Sequence, residues 1–534
     1  MKSRPASSRR LTVCRVLASF GIAAAMAMLP AAADAQALPG LSSLRVTYNT
    51  RKAMAKPQGE LKEQLDAVDK EIAAAARAGN AGEARRQIAK GLALLAGTPW
   101  TPALDFQNSL VIRSERTIAD SAALYTARLE QIYRPAIDLT PALAVRVSLL
   151  RRQPVPQGGA GGAAAPTQGP PPMITVREFG RQDGVARDLR ESPFRMELDV
   201  SGVADGVYAL EAEVFDGDTP LGAARLGIVL HKGLDARLQA LEAGAASAPE
   251  AVRADIRYPG DFTRNVNRGR VGRGTFDVAA ELAAAESVLA AAKAGKDPFK
   301  GRTGSMERHY VLEGANEVMP YRVYVPTRYT TAAPAPLVIA LHGLGANEDS
   351  FFDGYGGVPA KLAEQHGFLM AGPLGYRVDG FYGAAMGGAP DAAMRRRLEL
   401  SEKDVLEVVR LMREHYNVDT SRIYLIGHSM GAIGTWHLAA KYPEIWAAVG
   451  PFSGTGSPEA AASMKGIAQF VVHGDADPTV NVSGSRAMVA EMKRLGVEVT
   501  YVEVPGGDHV DVVVPNLPRV FEFLAGHRKG RAPR

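Results

Sequence analysis

Between about Met306 and Phe523, short apolar runs alternate with segments of helical periodicity, and few folds can accommodate a chain of that kind. Pro336 to Leu341, Phe368 to Ala371, Arg422 to Ile426, Ala447 to Phe452, Ala468 to Val472 and Glu498 to Val504 are too short for helices. In all but the last of these the apolar residues largely follow one another, as buried strands covered on both faces require. Asp404 to Tyr416 and Val489 to Leu495 carry the helical spacing between them. The pattern predicts an α/β domain over residues 306–527, a mostly parallel sheet with helices on both faces. Such sheets gather their functional groups on loops at the carboxyl ends of the strands.

At about 150 residues per domain, a chain of 534 residues must hold more than this one. The first segment carries Lys2, Arg4, Arg9, Arg10 and Arg15, then an uncharged run from Val16 to Leu29 and the small residues Ala33, Asp34 and Ala35. This reads as a secretory signal over residues 1–35, shorter in its apolar part than the ~20 residues of a bilayer span. The expected location is therefore secreted or periplasmic, with no integral membrane segment after signal removal. The lone cysteine, Cys14, lies inside that signal, so the mature chain has no disulfide and no thiolate nucleophile.

Leu61, Leu65, Val68 and Ile72, then Ile88, Leu92 and Leu95, predict a helical hairpin within 36–100. Residues 101–232 change to period two, as in Phe194, Met196, Leu198 and Val200 and in Tyr208, Leu210, Ala212 and Val214, which predicts a β-sandwich-like domain. Its Gly- and Pro-rich stretch 153–172 reads as a disordered loop. An Ala-rich helical connector, 233–305, leads to the α/β domain, and a basic tail, 528–534, ends the chain.

Gly427-His-Ser-Met-Gly431 stands at the end of one predicted strand and the start of a helix. Glycines on either side of a sharp strand-to-helix turn lift a serine hydroxyl clear of the backbone. Serine needs a base to take its proton and a carboxylate to fix the tautomer of that base. Asp477 follows the strand that ends at His473 and Gly474, and His509 follows the strand that ends at Val504, so all three fall at one edge of the sheet. Asp475 and Asp508 are the competing acids, and His342, His428, His437 and His473 lie near the same edge. Donors for a developing oxyanion are available in the amide of Met430 and in the turn His342-Gly-Leu-Gly345, through Leu344.

With Leu341-His-Gly-Leu-Gly345, Gly427-His-Ser-Met-Gly431, Gly434-Thr-Trp436, His473-Gly-Asp-Ala-Asp477 and Gly507-Asp-His509, the last 220 or so residues resemble the α/β-hydrolase esterases. Within that group they resemble the poly(3-hydroxybutyrate) depolymerase-like, feruloyl or acetylxylan esterase-like and phospholipase/carboxylesterase-like enzymes. The resemblance implies Ser429 as nucleophile, Asp477 as orienting acid, His509 as base, and Leu344 and Met430 as oxyanion donors. It implies hydrolysis of a carboxylic ester, small or polymeric, through an acyl-serine intermediate. Between Ala371 and Asp404 a long segment carries Tyr376, Phe381 and Tyr382, aromatic residues placed either to contact a substrate or to pack against the domain's own surface.

Two other readings compete. A prolyl-oligopeptidase-type serine peptidase shares the triad order, but no propeller-like repeat precedes the domain. A non-catalytic binding protein using the β region would have no need of Ser429, Asp477 and His509. No cofactor is expected, and no His-x-His pair or phosphate-binding loop suggests a metal or nucleotide. The signal supplies +4 of the formal net charge of +5, so the basic balance does not indicate nucleic acid. All the proposed site residues lie after Met306, so the upstream half is not needed for the chemical step.

Overall fold

A computed structural model describes residues 41–140, 142–153, 171–385 and 390–530. The expected signal 1–35, nearly all of the loop 153–172 and the end of the basic tail lie outside the described residues. Eight strands build the large sheet: β1 (Gly304–Leu312), β2 (Glu317–Val325), β3 (Ala335–Leu341), β4 (Leu369–Pro373), β5 (Val418–His428), β6 (Ala448–Phe452), β7 (Ala468–Gly474) and β8 (Val499–Val504). Their spatial order is β1-β2-β4-β3-β5-β6-β7-β8. Only β2 is reversed, pairing antiparallel with both β1 and β4, while the remaining neighbours are parallel.

β3 shows why the strands read as continuous apolar runs. Leu337, Ile339 and Leu341 enter one core, with Val405, Val408 and Met412 of helix α2 (Ala392–His415), Leu438 of α3 (Met430–Lys441) and Met488 of α4 (Ser483–Arg494). Val338 and Ala340, on the other face, enter a second core with Leu362 of α1 (Val358–His366) and Leu517 and Phe521 of α5 (Val513–Gly526). A strand sandwiched in this way has no face to give to polar residues.

The hairpin β1-β2 escaped the sequence pattern. Met306, Tyr310 and Leu312 face the core as period two demands, but Arg308 occupies the position between them and is itself buried. Its guanidinium lies 3.4 Å from Asp255 and donates to the carbonyl of Ala251 at 2.9 Å. Both partners belong to the helix Glu250–Asn267, which Pro259 and Gly260 had hidden from the periodicity. The connector thus has three helices, Leu234–Ser247, Glu250–Asn267 and Val278–Lys293, whose apolar faces share one core with Val318 of β2 and with Ile118 and Val229 of the β region.

Farther upstream, the described residues of the 36–100 stretch form three helices, Leu41–Ala55, Gly59–Arg77 and Ala81–Leu95. The first has few apolar residues and its place is set largely by Tyr48, which is fully buried over Gly91, where any Cβ would strike its ring. The described residues of the β region form two sheets, one of three strands and one of five, around a common core that includes Leu129, Leu149, Leu198 and Leu210.

Asp255 joins the connector to the sheet: one oxygen accepts the amide of His309 at 2.9 Å, and the carboxylate faces both Arg308 and the His309 ring. A fragment beginning at Gly304 keeps every proposed site residue yet bares Val318 and leaves Arg308 without its partners. We expect that fragment to melt below the full chain, and Asp255→Ala to cost the full chain about 3 kcal/mol, since it strands buried cations. Thermal melting of the fragment and urea unfolding of the variant measure this. A fragment as stable as the whole would make the connector dispensable.

Candidate active site

Ser429 stands between the end of β5 and the start of α3 with φ 58° and ψ −118°, a conformation that costs a non-glycine residue about 1–3 kcal/mol. The surroundings hold it there. The Ser429 amide donates to the carbonyl of Phe452 at 2.9 Å, and its own carbonyl accepts from Ala432 and Ile433 at 2.9 and 3.1 Å. Gly427 and Gly431 are required by close approach: a Cβ at 427 would strike the Gly431 carbonyl, and one at 431 would strike the carbonyls of Leu341 and His342.

His509 Nε2 lies 2.9 Å from Ser429 Oγ, and His509 Nδ1 lies 2.7 Å from Asp477 Oδ2. A carboxylate beside Nδ1 accepts a hydrogen bond from that nitrogen, which leaves Nε2 with a lone pair for the serine proton. Asp477 Oδ1 accepts the amides of Thr479 and Val480 at 2.7 and 2.9 Å, so the carboxyl group cannot swing away. The competing acids point elsewhere. Asp475 accepts the amide of Gly506, and Asp508 those of Val510 and Asp511.

The other histidines also have fixed partners. His473 Nε2 lies 3.1 Å from Asp477 Oδ2 and 2.9 Å from the carbonyl of Val480, with Ser485 Oγ 2.7 Å from Nδ1. Asp477 is therefore gripped by two imidazoles. Burial pushes its carboxyl up, but the hydrogen bonds from His473 and His509 prevail and hold it well below the usual carboxylate range. His428 donates from Nε2 to the carbonyl of His509 at 2.8 Å and receives the Tyr355 hydroxyl on Nδ1 at 2.9 Å. Burial and the neighbouring His509 push His428 down to about 4, so it serves as a neutral brace for the His509 loop. His342 is buried between the carbonyls of Gly343 and Leu374, and His437 meets Glu402 at 2.8 Å. Tyr355 and Ser485 were missed from sequence because nothing in their local pattern sets them apart.

At the oxyanion turn, a Cβ on Gly343 would lie 3.5 Å from that of Ser429, so the backbone before Leu344 passes directly over the serine. Neither the Leu344 nor the Met430 amide meets a backbone or side-chain acceptor among the described residues. The Gly345 amide donates to the carbonyl of Val378 at 2.8 Å, tying this turn to the aromatic segment. That segment departs from expectation at Tyr382, which is fully buried and donates its hydroxyl to the carbonyl of His342 at 3.1 Å. Tyr382 is a prop beneath the turn, packed against Gly434, and has no surface to offer a substrate. Phe381 and Tyr376 are half-buried, and the Tyr376 ring carries the Arg377 guanidinium 3.9 Å from its centre.

The strand order with β2 alone reversed, together with a serine after β5, an aspartate after β7 and a histidine after β8, defines the domain as an α/β-hydrolase. The comparisons add that residues 313–494 match a family model described as "Putative esterase". Over 166 residues the chain is 30% identical to acetylxylan esterase A of Talaromyces purpureogenus, covering 30% of this chain and 41% of that protein. Over 131 residues it is 30% identical to feruloyl esterase B of Neurospora crassa, covering 24% and 42%. A solved ferulic acid esterase of Anaeromyces mucronatus, in complex with ferulic acid, matches 43% of this chain and 95% of its own at 20% identity and a TM-score of 0.35. The chain spans less than half the length of the curated relatives it matches.

A carboxyl held below its ordinary value stabilises the fold fully above the unfolded pKa, about 3.9 for Asp, and that contribution shrinks as pH falls from there and is lost through the lower folded value. Urea unfolding of the wild type and of Asp477→Asn at pH 7 and pH 3.5 is expected to show a stability gap that narrows at the lower pH. A gap that stays constant would mean that ionisation of Asp477 is not what stabilises this corner.

Proposed function

We propose that the chain is a carboxylic ester hydrolase working through an acyl-serine intermediate, with Ser429 as nucleophile, His509 as general base and then acid, and Asp477 as the group that orients His509. The observation that carries the reading is the unbroken hydrogen-bond line from Ser429 Oγ through His509 to Asp477 at the carboxyl edge of the sheet. Ser429 Oγ attacks the ester carbonyl as its proton passes to His509 Nε2. The charge that develops on the carbonyl oxygen is met by the amides of Leu344 and Met430, each worth roughly 3 kcal/mol in a dry site. The alcohol leaves with the proton from His509, and a water then repeats the attack on the acyl-serine.

The family match and the relatives named for acetylxylan and feruloyl esters support the ester over the amide, and they make acetyl and hydroxycinnamoyl esters the first substrates to try. The described residues before the α/β domain are helices and two small sheets, which argues against the propeller-bearing peptidase reading. The basic and then apolar composition of residues 1–35 supports export to the periplasm or beyond.

Ser429→Ala is expected to fold normally, to lose labelling by a serine-reactive phosphonate and to lower kcat on an aryl acetate by about 10⁶. Asp477→Asn should cost about 10⁴, and Asp475→Asn far less, because only Asp477 sets the His509 tautomer. Turnover that survives Ser429→Ala, or a preference for peptide amides over esters, would overturn the proposal.

A further inference from the structure

A second cluster of reactive side chains lies where the connector meets the sheet. Glu307 and His309 stand two residues apart on β1 and so share the face turned away from the hydrolase core. Glu281 reaches the same place from the connector helix Val278–Lys293. One ligand atom from each of the three lies within 4.8 Å of the others. The imidazole is held rigidly: its ring stacks on Tyr258 with centroids 3.9 Å apart, Nδ1 faces Asp255 at 3.2 Å, and Nε2 faces Glu307 at 3.0 Å. A carboxylate behind one ring nitrogen, with acidic groups before the other, is how proteins aim histidine at a metal.

Glu348 supplies an independent sign. It is 93% buried, with 7% of its surface exposed, and its Oε2 has no hydrogen-bond partner among the described residues. The charges of Glu307, Asp349 and His309 act on it, so it lies beside the three ligands without being one of them. The cations nearby are already engaged: Arg322 pairs with Asp349 at 3.0 Å, Arg308 serves Asp255, and His309 lies between Asp255 and Glu307.

We propose that Glu281, Glu307 and Nε2 of His309 form a binding site for a divalent first-row transition cation, with Zn²⁺ the best match to one imidazole and two carboxylates. The proton that now joins Nε2 to Glu307 leaves to solvent as the metal takes its place, and no other bond changes. Because Glu281 comes from the connector and the other two ligands from β1, the bound cation clamps the upstream helices to the sheet. Nothing in the sequence pointed to it, since the ligands come from two separate elements and no His-x-His pair is present.

The test uses the full mature chain, without an affinity tag and freed of metal by a chelator. Titration with Zn²⁺ in a calorimeter is expected to give one site, and saturating Zn²⁺ to raise the melting temperature, with Ca²⁺ doing neither. Glu281→Gln leaves the Asp255–His309–Glu307 bonds in place and is expected to weaken Zn²⁺ binding at least tenfold and to abolish the melting shift. Ser429→Ala and His509→Ala are expected to bind Zn²⁺ as the wild type does. No binding by the wild type, undiminished binding by Glu281→Gln, or loss of binding in His509→Ala would each overturn the proposal, the last by placing the metal at the triad.

Discussion

The turn at Ser429 exists because positions 427 and 431 carry no side chain. With the carbonyls of Leu341, His342 and Gly431 pressed against those two α-carbons, β3, β5 and the start of α3 come as close as backbones can. That closeness lets the amide of Ser429 reach across to Phe452 and brings the Gly343 backbone over the serine. Three adjacent strands are thus fixed relative to one another at the point where the reacting oxygen stands. The two cores on either side of the sheet hold the arrangement in place against the strain of a positive φ.

Around that turn the polar groups form a closed set. Asp477 is held by two backbone amides and two imidazoles, and His428, itself fixed by Tyr355, holds the carbonyl of His509. The His509 ring therefore has its position set from three directions: by its acid, by its own backbone and by the serine. Preorganisation of this kind means that little has to move during proton transfer.

Much of this was legible in the sequence because the α/β-hydrolase places its groups at the ends of buried strands, and buried strands are conspicuous. The runs at Pro336 to Leu341 and Arg422 to Ile426 correspond to β3 and β5, and the loops after them carry the turn and the serine. What stayed hidden follows one physical pattern. Arg308 sits at a core position of β1, Pro259 and Gly260 lie inside a helix, and a helix with few apolar residues is anchored largely by Tyr48. In each case a contact far away in sequence outweighs the local preference, and local preference is all that periodicity reads. Tyr382 illustrates the reverse error: an aromatic residue in a glycine-rich loop suggests a surface for substrate, yet it is buried because Gly434 leaves room for its ring.

The helix Glu250–Asn267 packs on β1 and β2, at one margin of the large sheet. An outermost strand with open hydrogen-bonding groups invites pairing with another chain. In a polypeptide made from its amino end, this helix is synthesised before the strands it shields. The margin therefore has its cover waiting when it forms.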